Sequence, residues 1–145
     1  MSTTDIVAGA LLLHASYTDL RFRVVRNWAV ASGAAIGFTV AASVHGMAGV
    51  RHALLGLAAG GVWWAVVAAF RMGPGDAKLA MALGALLGPG AALFAPAFGQ
   101  VLCALWLLPW IAWRRHYRQP WRDAAVPLAP WIAVGTVALA CLRLS

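Results

Sequence analysis

The 145-residue chain contains four side-chain carboxylates, Asp5, Asp19, Asp76 and Asp123, and no glutamate. Asp19 and Asp76 fall at the edges of apolar stretches, where an ionisable group is costly and is therefore a candidate for function. Two such groups brought together share a proton. One then acts as base on a water while the other donates to a substrate carbonyl or a departing amine, which is the chemistry of an aspartic hydrolase. The same pair, binding a cation or relaying protons, would instead serve a small polytopic membrane transporter or complex subunit. A third use is plain pairing of each acid with Arg21, Arg23 or Lys78 at an interface.

Other chemistries lack their residues. A metalloprotease of the HExxH kind needs a glutamate. His14, His45, His52 and His116 are scattered over both membrane faces of the topology derived below, so no metal site is expected. No G-x-S-x-G setting presents a serine nucleophile. Cys103 and Cys141 stand far apart inside apolar stretches, without CxxC spacing. No cofactor is implied.

The elements that must position the two acids follow from composition. With 63% hydrophobic and 10% charged residues the chain belongs in a bilayer. At ~20 residues per span the length accommodates about six helices and no separate soluble domain. The expected fold is an all-α polytopic membrane helical bundle, a single domain over residues 1–145. Helices are expected at about 4–22, 28–44, 53–70, 75–88, 92–113 and 124–142. The N-terminus carries an acid instead of the basic segment of a secretory signal, so its apolar run reads as a retained first span. Gly88-Pro89-Gly90 divides the uncharged run from Leu79 to Trp113. The fourth helix is then short, which requires shielding by protein or a water-filled cavity at one end.

The 11 basic residues outnumber the four acids, for a net charge of +7. All but Arg51 and Arg143 fall in alternate connections: Arg21, Arg23 and Arg26; Arg71 and Lys78; Arg114, Arg115, Arg118 and Arg122. The positive-inside rule places those connections in the cytoplasm and both termini outside. Orientation accounts for the basic excess, so no nucleic-acid partner is expected. Trp28, Trp110, Trp113 and Trp121 sit where an aromatic belt would form, whereas the mid-span Trp63 and Trp64 read as packing residues. Gly33/Gly37, Gly56/Gly60 and Gly84/Gly88 have the GxxxG spacing that lets helix backbones approach, although a chain this rich in Ala and Gly also produces the spacing by chance.

Locally, Gly73 and Gly75 suit either a turn into the fourth helix or the close approach of a substrate strand to Asp76. Lys78, two residues beyond Asp76, projects away from it on a helix and is expected to reach the interface. Asn27 is expected to cap the second helix.

The run Asp19-Leu20-Arg21-Phe22-Arg23-Val24-Val25-Arg26-Asn27 resembles the D-L-R-x-R-x-I-P-N element that closes the first core helix of type IV prepilin peptidases. Gly73-Pro74-Gly75-Asp76-Ala77-Lys78-Leu79 is similar to their G-x-G-D-V-K-L element, the signature of GxGD intramembrane aspartic proteases. Val126-Pro127-Leu128-Ala129-Pro130-Trp131-Ile132-Ala133 resembles the P-x-x-P-x-L-A start of their last helix. Val25 and Arg26 depart from the usual isoleucine and proline. With no paired CxxC motifs the chain resembles the short, peptidase-only members, including those of tight-adherence pilus systems. The resemblance implies a cofactor-independent endopeptidase of the bacterial inner membrane, with Asp19 and Asp76 catalytic and Gly73, Gly75, Lys78 and Asn27 supporting. Its implied substrate is the basic leader of a type IV prepilin or pseudopilin, cut at the cytoplasmic face.

The charge distribution is checked by reporter fusions. Fusions after Arg23, Arg71 and Arg118 should report cytoplasm, and fusions near Gly46 and at Ser145 the opposite side. A cytoplasmic signal at Ser145 would remove one span from the count.

Overall fold

The computed structural model describes residues 2–70, 74–116 and 129–144, and these form helices with no strand among them. The expectations attached to Arg71, Gly73, Arg118, Trp121, Arg122, Asp123 and 126–128 lie outside the described residues.

Helix α1 (Thr3–Phe22) opens with a capping box. The Asp5 N–H donates to Ser2 Oγ at 3.2 Å, and the Ser2 N–H donates to Asp5 Oδ2 at 2.7 Å. It closes at Arg23, which takes the left-handed conformation at φ 55° and donates its N–H to the Asp19 carbonyl at 2.9 Å. Helix α2 (Asn27–Gly61) is two antiparallel arms, because Gly46 adopts φ 56° and ψ −139°. Beyond that reversal the backbone at Gly49 lies against Ala41, where no side chain would fit. The second and third expected helices are therefore joined by one residue, and the return arm starts well before position 53. That arm breaks at Val62, and α3 (Trp63–Phe70) follows.

Helix α4 (Pro74–Leu87) is short, as expected, and is shielded by protein on nearly every side. Leu79, Ala80, Ala82 and Leu83 are completely buried, against α1, both arms of α2, α3 and α5. Gly88 ends it at φ 91°, and Pro89 at the first position of α5 (Pro89–His116) starts the next helix without losing a bond. A Cβ on Gly88 would strike the His52 imidazole. Helix α6 (Ala129–Leu144) packs on α5, where the backbones approach at Gly99 against Trp131 and at Gly135 against Ala95.

The GxxxG pairs lie at helix contacts. Gly56 meets Gly84 backbone to backbone, and an added Cβ at Gly37 would stand 2.7 Å from the Ala85 carbonyl oxygen. At Gly60 it would stand 2.5 Å from Met81 Cα. Both arms of α2 therefore lie directly on α4. Outward-facing Leu13, Val44, Met47, Leu55 and Trp106 leave the bundle apolar on its surface. Asn27–Val67 and Pro89–Leu108 are the two described stretches long and apolar enough to cross a membrane, and Ala129–Ala138 is a shorter apolar helix.

Trp63 is buried, as its mid-span position suggested, and its role is more specific than packing. Pro96 is buried inside α5 and has no N–H, so the Ala92 carbonyl one turn earlier loses its helical donor. The Trp63 indole N–H supplies the missing bond at 2.9 Å. Trp64, by contrast, is 42% exposed and donates to Met81 Sδ. Trp63→Phe should cost about 1–3 kcal/mol by orphaning that carbonyl. Pro96→Ala, which restores the helical donor, should recover most of the loss. Detergent-melting measurements on the single and double variants check the coupling.

Candidate active site

Two separate segments form the site, and each exists because a helix ends or begins there. The first, from Asp19 to Asn27, carries the chain out of α1 through the Arg23 turn and into α2. The second is the start of α4, where Pro74 suits the first helical turn and Asp76 follows within it.

Three contacts bring the segments together. A Cβ on Gly75 would lie 3.0 Å from Val25 Cγ2, so the glycine gives the first segment room against the second. Lys78 Nζ donates to Asn27 Oδ1 at 2.8 Å, across 51 positions of sequence. The carboxylates of Asp19 and Asp76 lie within electrostatic range of each other. The structure thus unites Asp19, Asp76, Gly75, Lys78 and Asn27, while Gly73 lies outside the described residues.

Two expectations change here. Lys78 forms no ion pair with Asp76, and it ends on Asn27 instead of reaching the interface alone. Asn27 does not cap α2: Arg26 occupies the N-cap position without a side-chain bond, and Asn27 is the first helical residue, with its side chain given to Lys78. Arg26 adopts φ −72°, an angle proline would also take. The turn therefore keeps its course despite that departure from the prepilin peptidase pattern.

The two carboxylates have unlike surroundings. Asp19 is half-buried, and its Oδ2 accepts the Ala129 backbone N–H at 3.0 Å, at the first residue of α6. Asp76 is only 8% exposed, and among the described residues nothing donates a hydrogen bond to it. Neither acid forms an ion pair with a described Lys, Arg or His, so the pairing of acids with Arg21, Arg23 or Lys78 is not how they are held. The buried Cys103 of α5 also lies within electrostatic range of Asp76.

Sequence reasoning missed Val25, Cys103 and Ala129 as neighbours of the site. Val25 sat within a recognised element, and Ala129-Pro130 carries a helix-start signal. Cys103 had no signal beyond its apolar surroundings.

Residues 6–108 match the model of the type IV leader peptidase family. The chain belongs to that family. Neither a curated protein nor a solved structure matches it. The part matched to the type IV leader peptidase family includes both Asp19 and Asp76 and runs into α5, so both candidate acids belong to the peptidase portion. Ala129, which contacts Asp19, lies beyond that portion. As a type IV leader peptidase family member the chain is a protease-like membrane protein, and the apolar stretches agree with that setting.

The Lys78–Asn27 contact can be weighed directly. Lys78→Met and Asn27→Ala should each lower stability, and their double-mutant cycle should give a coupling of about 0.5–1.5 kcal/mol, the net worth of one hydrogen bond. Additive losses would show that the two side chains act separately.

Proposed function

We propose that this protein is a membrane-embedded aspartic endopeptidase that removes the leader peptide from type IV prepilins or pseudopilins. The observation that carries the reading is that Asp19, from the end of α1, lies within electrostatic range of Asp76, from the start of α4, with no described cation pairing either one. A structural ion pair would have placed a lysine or arginine on each. Two neighbouring carboxylates that no described cation pairs hold one proton between them, because a second negative charge close to the first is opposed by repulsion and by burial.

The reaction follows from that shared proton. The ionised carboxylate takes a proton from water as its oxygen attacks the scissile carbonyl carbon, and the protonated partner donates a hydrogen bond to the carbonyl oxygen. In the collapse of the tetrahedral intermediate the proton gained from water passes to the leaving amine. The C–N bond breaks, and the pair returns with one proton. No cofactor enters the cycle. The residues that hold the acids, Gly75, Lys78 and Asn27, with Gly73 beside them in sequence, support the site by fixing the two segments.

In the same reading the bundle crosses a bacterial inner membrane as about six helices, with the site toward the cytoplasm. The six-span count takes the two arms of α2, the second continued by α3, as separate crossings. The alternate placement of basic residues supports that orientation. The substrate is expected to meet the lipid bilayer with its apolar helix and present its leader at the cytoplasmic edge.

Asp19→Asn and Asp76→Asn should each reduce prepilin cleavage by at least ~10³-fold, since Asn keeps the shape of Asp but neither accepts water's proton nor shares one. The double variant should lose no more than either single one, because both disable one unit. Asp5→Asn, at the α1 capping box, should keep activity. Cleavage of purified prepilin in reconstituted membranes measures all four. Near-parental cleavage by either single variant would remove the hydrolase reading and favour cation or proton binding.

A further inference from the structure

The mechanism above leaves open which aspartate does which task, and the difference in their surroundings bears on that question. Asp19 lies in the last turn of α1, where the helix dipole disfavours a negative charge. The first backbone N–H of α6 opposes that effect by donating directly to its carboxylate. The donor is well placed for this. Pro130 follows and has no N–H, so Ala129 is the leading free donor of the turn, and it is completely buried. With Oδ2 held by Ala129, the other Asp19 oxygen accepts no hydrogen bond from a described residue.

Asp76 is arranged the other way. It is more deeply buried than Asp19, has no hydrogen-bond donor among the described residues, and has the buried Cys103 within electrostatic range. Its position in the first turn of α4 favours negative charge through the dipole. That effect is weaker than the cost of burying an uncompensated carboxylate. Lys78, the nearest cation in sequence, is given to Asn27.

We propose that the Ala129 N–H is the positioning group of the site: it holds Asp19 as the ionised base that activates water, and so leaves the proton on Asp76 as the acid. The assignment of tasks rests on the hydrolase reading. The placement of the proton does not.

The proton is located by infrared spectroscopy of protein labelled with ¹³C-aspartate, at about pH 6. The parent should show a protonated-carboxyl band, and that band should vanish in Asp76→Asn. Absence of the band in the parent, or its persistence in Asp76→Asn, overturns the assignment. This result is independent of whether the protein cuts prepilin, so failure of the hydrolase reading and failure of the inference are separable.

The positioning role is tested by replacing Ala129 with its α-hydroxy analogue, which turns the amide into an ester and deletes the N–H without adding an atom. In an active parent, kcat should fall on the order of tenfold or more while KM stays within about twofold. Ala129→Gly, which keeps the donor, should retain parental kcat. An ester variant with parental kcat, or an equal loss in Ala129→Gly, overturns the positioning role.

Discussion

Backbone contact between α2 and α4 sets the position of Asp76. At Gly56 and Gly84 the two chains touch with no side chain between them, and Gly37 and Gly60 repeat the contact along the same helix. Helix α4 is thereby clamped between two arms of one hairpin, so its first turn cannot slide or rotate without opening contacts along its whole length. The first arm also starts at Asn27, beside the Asp19 turn. One hairpin therefore fixes the distance between the segments that carry the acids, and the Lys78–Asn27 and Gly75–Val25 contacts lie at its open end.

An apolar bundle has little tolerance for unpaired polar groups, and most of those near α4 are matched one by one. Pro96 exposes the Ala92 carbonyl, and Trp63 answers it. Lys78 finds a neutral acceptor, and Asp19 finds a backbone donor. Asp76 is not matched in this way: it is buried and takes no hydrogen bond from a described residue, a lack it shares with the buried His14 Nε2, Ser16 Oγ and Gln100 Nε2. In a family of peptidases such an acid is where chemistry is to be sought, because a carboxyl left unmatched by its own protein has hydrogen-bonding capacity for a substrate.

Much of the scaffold could be read along the chain. Gly88-Pro89 marked a real break because a glycine followed by a proline has few other uses than ending one helix and starting the next. The Gly46 reversal was harder to place. The third helix is expected from about position 53, yet the return arm already runs through Arg51 and His52, and His52 packs against Gly88. Asp19, Asp76 and Gly75 could be found by type and setting. The roles of Lys78 and Asn27 could not, since each was judged against sequence neighbours and their bond spans 51 positions. Ala129 was further out of reach: its contribution is a backbone N–H, which every residue but proline possesses and no side chain announces.

The location of the pair also bears on the choice between hydrolysis and ion binding. Hydrolysis needs water at a carboxylate and a low dielectric around the charges that develop. The ends of buried helices offer both, as Asp19 retains exposure while Asp76 does not. A cation site has other requirements: several oxygen ligands must surround one point, commonly six or more for hard cations. One Asp19 oxygen is already committed to an N–H, and among the described residues no cluster of three or more His, Cys, Asp or Glu side chains is grouped to hold a metal ion. A carboxylate with a donor on one oxygen suits a base that must keep its charge and its direction while the other oxygen works on water. The described surroundings of the pair are therefore poorer in ligands for a metal and better matched to moving a proton.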